Sequence, residues 1–288
     1  MHPKGICAPR GLLAQRRHRV RHLLFRGGVA AVTQALMFTG MYPLVPHAFR
    51  AFQKRKKQHD LGTSPMRVAL TEWGISAALS AIRPAGFLRL PGAGGKGPRP
   101  VILLHGYAMN RANFVPLAYR LARAELGPIF GFEYWTLGRV AAGARQLGWF
   151  VDEVREATGA DEVDLVGHSM GGVVARYYVT LAGGDPYVRN LVTLGSPHAG
   201  TDASRLGIGH PTRELLLGSK LVERLAAASP PRHTKVTVIW SRADALVPGT
   251  WQTPPPGSEV ILYDDLGHVA MLGSRRVAAE VIQRLAIR

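Results

Sequence analysis

Residues 162–182 read EVDLVGHSMGGVVARYYVTLA, and this stretch decides the fold. Its first apolar run, at 163–166, contains branched side chains and predicts a buried strand. The turn GHSMG follows, and apolar residues then recur at helical spacing from 173 to 178. A serine at the apex of such a strand–turn–helix unit projects its hydroxyl over the sheet edge, in front of the amides that begin the helix. The pattern therefore predicts that Ser169 is a nucleophile.

A nucleophilic serine needs a base, and the base needs an acid that orients it. The strand-like segment 259–263 leads into a short loop that ends at His268, the candidate base. The strand-like segment 236–240 leads into the loop that carries Asp244, the candidate acid. Because parallel strands all end at one edge of a sheet, these two side chains and Ser169 can converge.

Three other carboxylates are rivals for the role of the acid. Asp264 and Asp265 lie on the same short connection as His268, and Asp202 lies in a loop further upstream. A carboxylate so close to the histidine in sequence is better placed for capping or for contact with solvent than for orienting the imidazole. We therefore predict Asp244 as the acid.

The negative charge that develops on the substrate oxygen needs two backbone amides. Met170, the residue after the candidate nucleophile, supplies the first candidate. The second is expected in the loop after an early strand, and residues 100–110 read PVILLHGYAMN. The run 101–104 predicts that strand, and the glycine turn after it makes the amide of Tyr107 the second candidate.

Five motifs together carry a family resemblance. In chain order they are HGY (105–107), GHSMGG (167–172), TLGSPHAGT (193–201), SRADALV (241–247) and GHVAML (267–272). The sequence from about residue 98 to residue 288 resembles the small bacterial serine lipases and esterases, of the triacylglycerol lipase type, in the α/β-hydrolase superfamily. The order serine, aspartate, histidine is the one that this superfamily uses.

The resemblance implies an α/β-hydrolase fold, with a mostly parallel central sheet, helices on both faces and a short lid region. It implies a triad of Ser169, Asp244 and His268, with the amides of Tyr107 and Met170 as the oxyanion hole. It also implies hydrolysis of carboxylic esters, with lipid esters as substrates. No cofactor is expected.

The rest of this region alternates strand and helix signals, which indicates a parallel sheet. Helices are predicted near 113–124 and at 140–158, and strands near 129–135 and at 188–194. The stretch 199–233 is irregular and predicts a lid of about 35 residues, too short for a large cap domain. Two short helices are expected within it, at 213–217 and 220–228.

The charge and the cysteine content limit which other classes of function the protein can have. The chain carries a formal net charge of +17, but residues 1–67 contain 13 of the 36 Lys and Arg and only one acid. The basicity therefore belongs mainly to the N-terminal extension, and without a recognition motif it does not predict nucleic-acid binding. One cysteine excludes an intrachain disulfide, and no pattern of metal ligands is present.

The N-terminal extension also contains the uncharged segment GGVAAVTQALMFTGMYPLVP at 27–46. Twenty residues just match the hydrocarbon core of a bilayer. A membrane anchor or surface helix, a cleaved export signal and a helix docked on the domain all remain open. We expect association with a membrane surface through this extension, with export as the alternative.

We therefore predict three regions: the extension 1–67, a helix and linker at 68–97, and a catalytic domain at 98–288. An acyltransferase, a thioesterase or a polyester hydrolase could use the same triad. A catalytically silent hydrolase fold that acts as a membrane scaffold is a further alternative. The sequence leaves acyl-chain length and oligomeric state open.

Overall fold

A computed structural model describes residues 64–249 and 252–286. The apolar segment 27–46 lies outside the described residues, and so do the predictions of an anchor, a signal or a docked helix. Within the described part of the chain, no helix is both long enough and apolar enough to cross a membrane.

The described chain begins with a long helix and then alternates strands and helices. The elements are α1 (Pro65–Ile82), β1 (Val101–Leu104), α2 (Val115–Arg123), β2 (Ile129–Phe132), α3 (Val140–Thr158), β3 (Val163–His168), α4 (Met170–Leu181), β4 (Val188–Leu194), α5 (Pro211–Glu214), α6 (Lys220–Ala226), β5 (Lys235–Ser241), β6 (Glu259–Tyr263), α7 (Ala270–Gly273) and α8 (Arg275–Ala286). Short 3₁₀ turns lie at Arg83–Phe87, Arg111–Phe114, Asp185–Tyr187 and Asp202–Leu206.

The six strands of the described residues form one sheet in the order β2-β1-β3-β4-β5-β6, and every neighbouring pair is parallel. Successive side chains of a strand point to opposite faces, so each buried strand contributes side chains to two apolar layers, one on each face of the sheet. One layer joins the sheet to α3 and α4, and the other joins it to α1, α2 and α8. The predicted parallel sheet with helices on both faces is confirmed.

The order of the strands predicts a ligand site beside Ser169. The chain leaves β1 through α2 on one face of the sheet, whereas it leaves β3 through α4 on the opposite face. Because β1 and β3 are neighbours, their connections diverge at the carboxyl ends of the strands. In open α/β sheets, ligands bind at such a switch point. The topology therefore predicts a ligand site at the HGY turn and the serine turn.

Several predicted boundaries differ from the observed ones. The strand predicted near 129–135 ends at Phe132. The short helix predicted at 213–217 lies instead at Pro211–Glu214, because proline favours the first helical turn and Leu215 turns into the core. The carbonyl of Leu215 accepts a hydrogen bond from the amide of Thr201.

Helix α1 begins at Pro65 and therefore precedes the predicted boundary at residue 68. Its last α-helical residue is Ile82, and a 3₁₀ turn at Arg83–Phe87 follows directly. Pro84 in that turn has no backbone N–H to continue the α-helical hydrogen bonds. Val68 and Leu79 are buried, whereas a stripe of larger apolar side chains on the same helix is exposed: Met66, Leu70 and Trp73. The helix packs against the 3₁₀ turn 111–114 and α7. It is thus attached to the core of the sheet domain.

Candidate active site

Ser169 occupies the turn between β3 and α4 in a strained backbone conformation, with φ 54° and ψ −125°. Its amide donates a 2.8 Å hydrogen bond to the carbonyl of Leu194 in the neighbouring strand. A side chain at Gly171 would overlap the carbonyl oxygen of Leu104, and one at Gly167 would overlap the backbone of Gly172. The two glycines of the motif are therefore required by the close approach of the turn to its surroundings.

The two candidate oxyanion amides flank the serine turn. Met170 is the first residue of α4, so its amide has no acceptor one turn earlier within the helix. Gly106 precedes Tyr107 and packs against the serine, since a Cβ on Gly106 would lie 3.0 Å from the Cβ of Ser169. The structure therefore brings the HGY turn and the serine turn into contact.

Asp244 and His268 come together at the same sheet edge. Nδ1 of His268 lies 2.7 Å from Oδ2 of Asp244. The other carboxylate oxygen, Oδ1, accepts hydrogen bonds of 2.8 Å from the amides of Leu246 and Val247, which fix the orientation of the carboxylate. Asp244 is fully buried and His268 is 6% exposed, so the pair is shielded from water.

The charges around His268 favour its protonated form. Burial by itself would lower the pKa of His268, but the attraction of Asp244, the hydrogen bond to it and the charge of Glu72 together raise that pKa above its usual value. His168 has the opposite character, because burial and the neighbouring His268 lower its pKa to about 3. Nε2 of His168 lies 3.0 Å from the carbonyl oxygen of His268, so a neutral His168 can support the backbone of the candidate base.

Ser169 belongs to the same cluster, although no hydrogen bond among the described residues joins it to His268. His168, which precedes the serine, has its ring 4.8 Å from the ring of His268. Gly195 follows Leu194, the acceptor of the Ser169 amide, and a Cβ on Gly195 would lie 3.2 Å from both Asp244 and His268. In enzymes without a bound substrate, catalytic hydrogen bonds are often long and tighten on binding.

Known proteins support the assignment of the fold. Residues 99–213 match the family model described as the alpha/beta hydrolase fold. The triacylglycerol lipases of Pseudarthrobacter phenanthrenivorans and Burkholderia plantarii are each 34% identical to this chain over 113 residues. These alignments cover 36% of this chain and 34% and 30% of the respective relatives, so the chain spans about a third of their length.

Solved structures agree with the sequence matches. Bacillus licheniformis lipase BlEst2 in its mature form superposes with a TM-score of 0.60 at 14% identity, over 66% of this chain and 92% of that one. Aspergillus fumigatus lipase B gives a TM-score of 0.59 at 15% identity, over 69% of this chain and 55% of that one. The chain has an α/β-hydrolase fold. The resemblance indicated by the five motifs is therefore confirmed.

The matched region of the α/β-hydrolase fold contains Tyr107, Ser169 and Met170, but it ends before Asp244 and His268. The contact between those two side chains is therefore seen in the structure and lies outside the family match. Among the described residues, no group of three or more histidine, cysteine, aspartate or glutamate side chains could hold a metal ion.

The rival carboxylates of this α/β-hydrolase fold form ion pairs on its surface. Asp264 pairs with Arg242 at 2.7 Å, Asp265 pairs with Arg276 at 2.6 Å, and Asp202 pairs with Arg205 at 3.2 Å. All three carboxylates are at least 40% exposed. None of these pairs places a carboxylate on the imidazole of His268.

The predicted lid region, called the cover below, is hydrogen-bonded to the rest of the domain. The hydroxyl of Tyr107 donates a 2.8 Å hydrogen bond to the carbonyl of Ile208 and accepts one of 2.7 Å from its amide. The Glu214 carboxylate of the same region accepts a hydrogen bond from the amide of Val140, the first residue of α3. The cover is therefore tied at two points, one of them a residue of the candidate oxyanion loop.

One residue close to the site was missed by the sequence analysis. Glu72 of α1 accepts hydrogen bonds of 2.8 Å from the amides of Val269 and Ala270, directly after His268. A signal was present, because Glu72 is the only charged residue between Arg67 and Arg83. A lone acid in an apolar helix needs a partner when the helix packs. Its partners lie almost two hundred positions away, so no local pattern indicated them.

Proposed function

We propose that this protein is a serine hydrolase of carboxylic esters, acting on lipid esters through Ser169, His268 and Asp244. The observation that carries the proposal is the buried hydrogen bond between His268 and Asp244, at the sheet edge where Ser169 occupies its strained turn. Strained nucleophile turns of this kind expose a serine hydroxyl at the top of the sheet.

The geometry supports a proposed role for each group. Nδ1–H of His268 donates to Asp244, which leaves Nε2 to accept the proton of Ser169 as its oxygen attacks the acyl carbon. The imidazolium then donates this proton to the departing alcohol, and the serine remains acylated. Water attacks the acyl-enzyme with His268 again as the base, which releases the acid and restores the serine hydroxyl. The amides of Tyr107 and Met170 stabilise the oxyanion in both steps.

Two observations favour lipid esters among carboxylic esters. The curated relatives that match this chain are named triacylglycerol lipases. The cover of the site also exposes large apolar side chains, with Leu206 62%, Ile208 55% and Leu217 48% exposed. Exposed apolar groups around a site suit a substrate with acyl chains. Delivery to a membrane surface by the extension 1–67 stays a prediction from the sequence.

A chain-length series of p-nitrophenyl esters tests the proposal, with the wild type and the variant Ser169→Ala compared at equal concentration. The wild type should hydrolyse at least the short esters, and the variant should lose activity by about 10⁴-fold or more, as expected for loss of a triad nucleophile. Analysis of the products with an added alcohol separates hydrolysis from acyl transfer. Flat traces for the wild type would overturn the proposal and leave the scaffold hypothesis.

A further inference from the structure

Helix α1 is attached to the loop that carries His268 by polar and apolar contacts. Both carboxylate oxygens of Glu72 are used, one for the amide of Val269 and one for the amide of Ala270. Gly267 lies against the same carboxylate, and no Cβ could be accommodated there. The Glu72 carboxylate thus contacts the backbone immediately before and immediately after His268.

An apolar contact also keeps the helix in this position. A Cβ on Gly273, at the end of α7, would lie 2.9 Å from Cδ1 of Ile75, one turn along α1 from Glu72. Leu79, a further turn along, is 3% exposed and belongs to the same apolar layer as α8. Since these contacts fix the helix, they also fix where the carboxylate meets the loop.

The backbone of His268 is held from two sides. His168 supports its carbonyl oxygen at 3.0 Å, and Glu72 binds the two amides that follow it. The charged and titratable groups that face His268 are Asp244 from the loop after β5, Glu72 from α1 and His168 from the end of β3. His168 is neutral. Burial raises the pKa of Glu72, but both of its carboxylate oxygens accept hydrogen bonds from amides, as those of an ionised carboxylate do. Both charges around the imidazole are therefore negative.

We propose that Glu72 is a positioning residue of the site: it clamps the 267–270 loop and supplies a second negative charge that stabilises the imidazolium of His268. This proposal rests on the proposed function. It also assigns part of the site to a helix that precedes the residues matching the hydrolase family model. Removing the charge should destabilise the imidazolium, and removing the hydrogen bonds should loosen the loop.

The test compares Glu72→Gln and Glu72→Ala with the control Thr71→Ala, whose exposed hydroxyl bonds only within α1. The readout is kcat and kcat/KM for p-nitrophenyl acetate from pH 5 to 9. Both Glu72 variants should lose kcat by about 10- to 100-fold, as expected when a catalytic group is displaced by about 1 Å. The pKa of the acidic limb of kcat/KM should fall by about half a unit or more in both, because a nearby negative charge is lost. KM should change less than kcat.

A purely structural role predicts a different result, in which the variants melt at lower temperature but keep the acidic limb of the wild type. That result would overturn the proposal, as would a wild-type kcat in Glu72→Gln. An NMR titration of the His268 ring in full-length wild type and Glu72→Gln gives a reading that does not depend on turnover. If the wild type hydrolyses no ester but the ring pKa still falls in the variant, the proposed function fails and the placement of Glu72 stands. An unchanged ring pKa overturns the placement itself.

Discussion

Oδ2 of Asp244 and Nδ1 of His268 are 2.7 Å apart, although the two residues follow different strands of the sheet. The carboxylate is oriented by two further amides, so it presents one oxygen to the imidazole in a fixed direction. This arrangement fixes the tautomer of the histidine and explains why a rival acid cannot easily replace Asp244.

The first prediction concerns this acid. Asp244→Asn should lower kcat by about 10⁴-fold with the fold intact, because an amide at this position favours the wrong tautomer of His268. Asp264→Asn and Asp265→Asn are matched controls that remove exposed ion pairs, which contribute at most about 1 kcal/mol. Steady-state kinetics with a soluble ester and circular dichroism measure both effects. A larger loss at either control would show that Asp244 is the wrong carboxylate.

The second prediction uses two glycines with similar backbone conformations. Gly195 has φ +57° and faces the dyad, whereas Gly159 has φ +69° at the end of α3, where an added Cβ would meet no described heavy atom within 4 Å. Alanine at Gly159 should cost about 1 kcal/mol of unfolding free energy, because left-handed geometry is needed there. Alanine at Gly195 should cost more, because its methyl group is also crowded. Only Gly195→Ala should also lower kcat, by about 10- to 100-fold, since its methyl group crowds Asp244 and His268. Equal kinetics for the two variants would contradict the dyad geometry.

The third prediction concerns the buried carboxyl of Asp164 in β3. Burial raises its pKa to about 6, although Arg99 and Asn190 both bind the carboxylate and oppose the rise. An unfolded chain titrates this group near pH 4, so between about pH 4 and 6 the folded state holds a proton that the unfolded state has lost. The free energy of unfolding should therefore fall with rising pH through this window, by about 3 kcal/mol from this group.

Asp164→Asn, which does not titrate, should lack this fall. Its stability relative to the wild type should therefore increase by about 3 kcal/mol between pH 4 and pH 7, measured by urea unfolding. Asp161→Asn, at an exposed position just before β3, is the control. Parallel pH profiles for the wild type and Asp164→Asn would disprove the shifted pKa.

The fourth prediction concerns the N-terminal region. Deletion of residues 1–63 should release the protein from membranes and keep activity on a short soluble ester, because α1 starts at Pro65. Deletion of residues 1–74 also removes Glu72 and should abolish most of the activity, because the His268 loop loses both hydrogen bonds. Vesicle flotation and ester hydrolysis measure the two effects. Full activity of the longer deletion would contradict the clamp.

The fifth prediction concerns the cover. The cover is a short segment of about 35 residues, and its hydrogen bonds to Tyr107 through Ile208 hold it in place. A lipid interface therefore has little conformational equilibrium to shift. The rate on a short-chain ester should follow simple saturation through the solubility limit of the substrate. A sharp increase once droplets form would identify residues 213–228 as a mobile lid.

The sequence by itself determined the parallel sheet, the serine turn and the order of the strands along the chain. These features depend on local spacing: apolar runs bounded by glycine turns, and a helix that starts at Met170. The bounds of α3 and β4 agree with the predicted ones because each segment carries its own periodicity.

Only the tertiary structure decided which side chains meet. The sequence could not rank Asp244 against Asp264 by distance, since contact with His268 depends on how β5 and β6 pair. The sequence indicated the position of Glu72 even less clearly, because its contact with the His268 loop depends on how α1 packs against residues almost two hundred positions later. Secondary structure follows from neighbours in the chain, whereas a site is assembled by long-range packing. The serine turn and the strand-end position of Asp244 could therefore be predicted, but Glu72 could not.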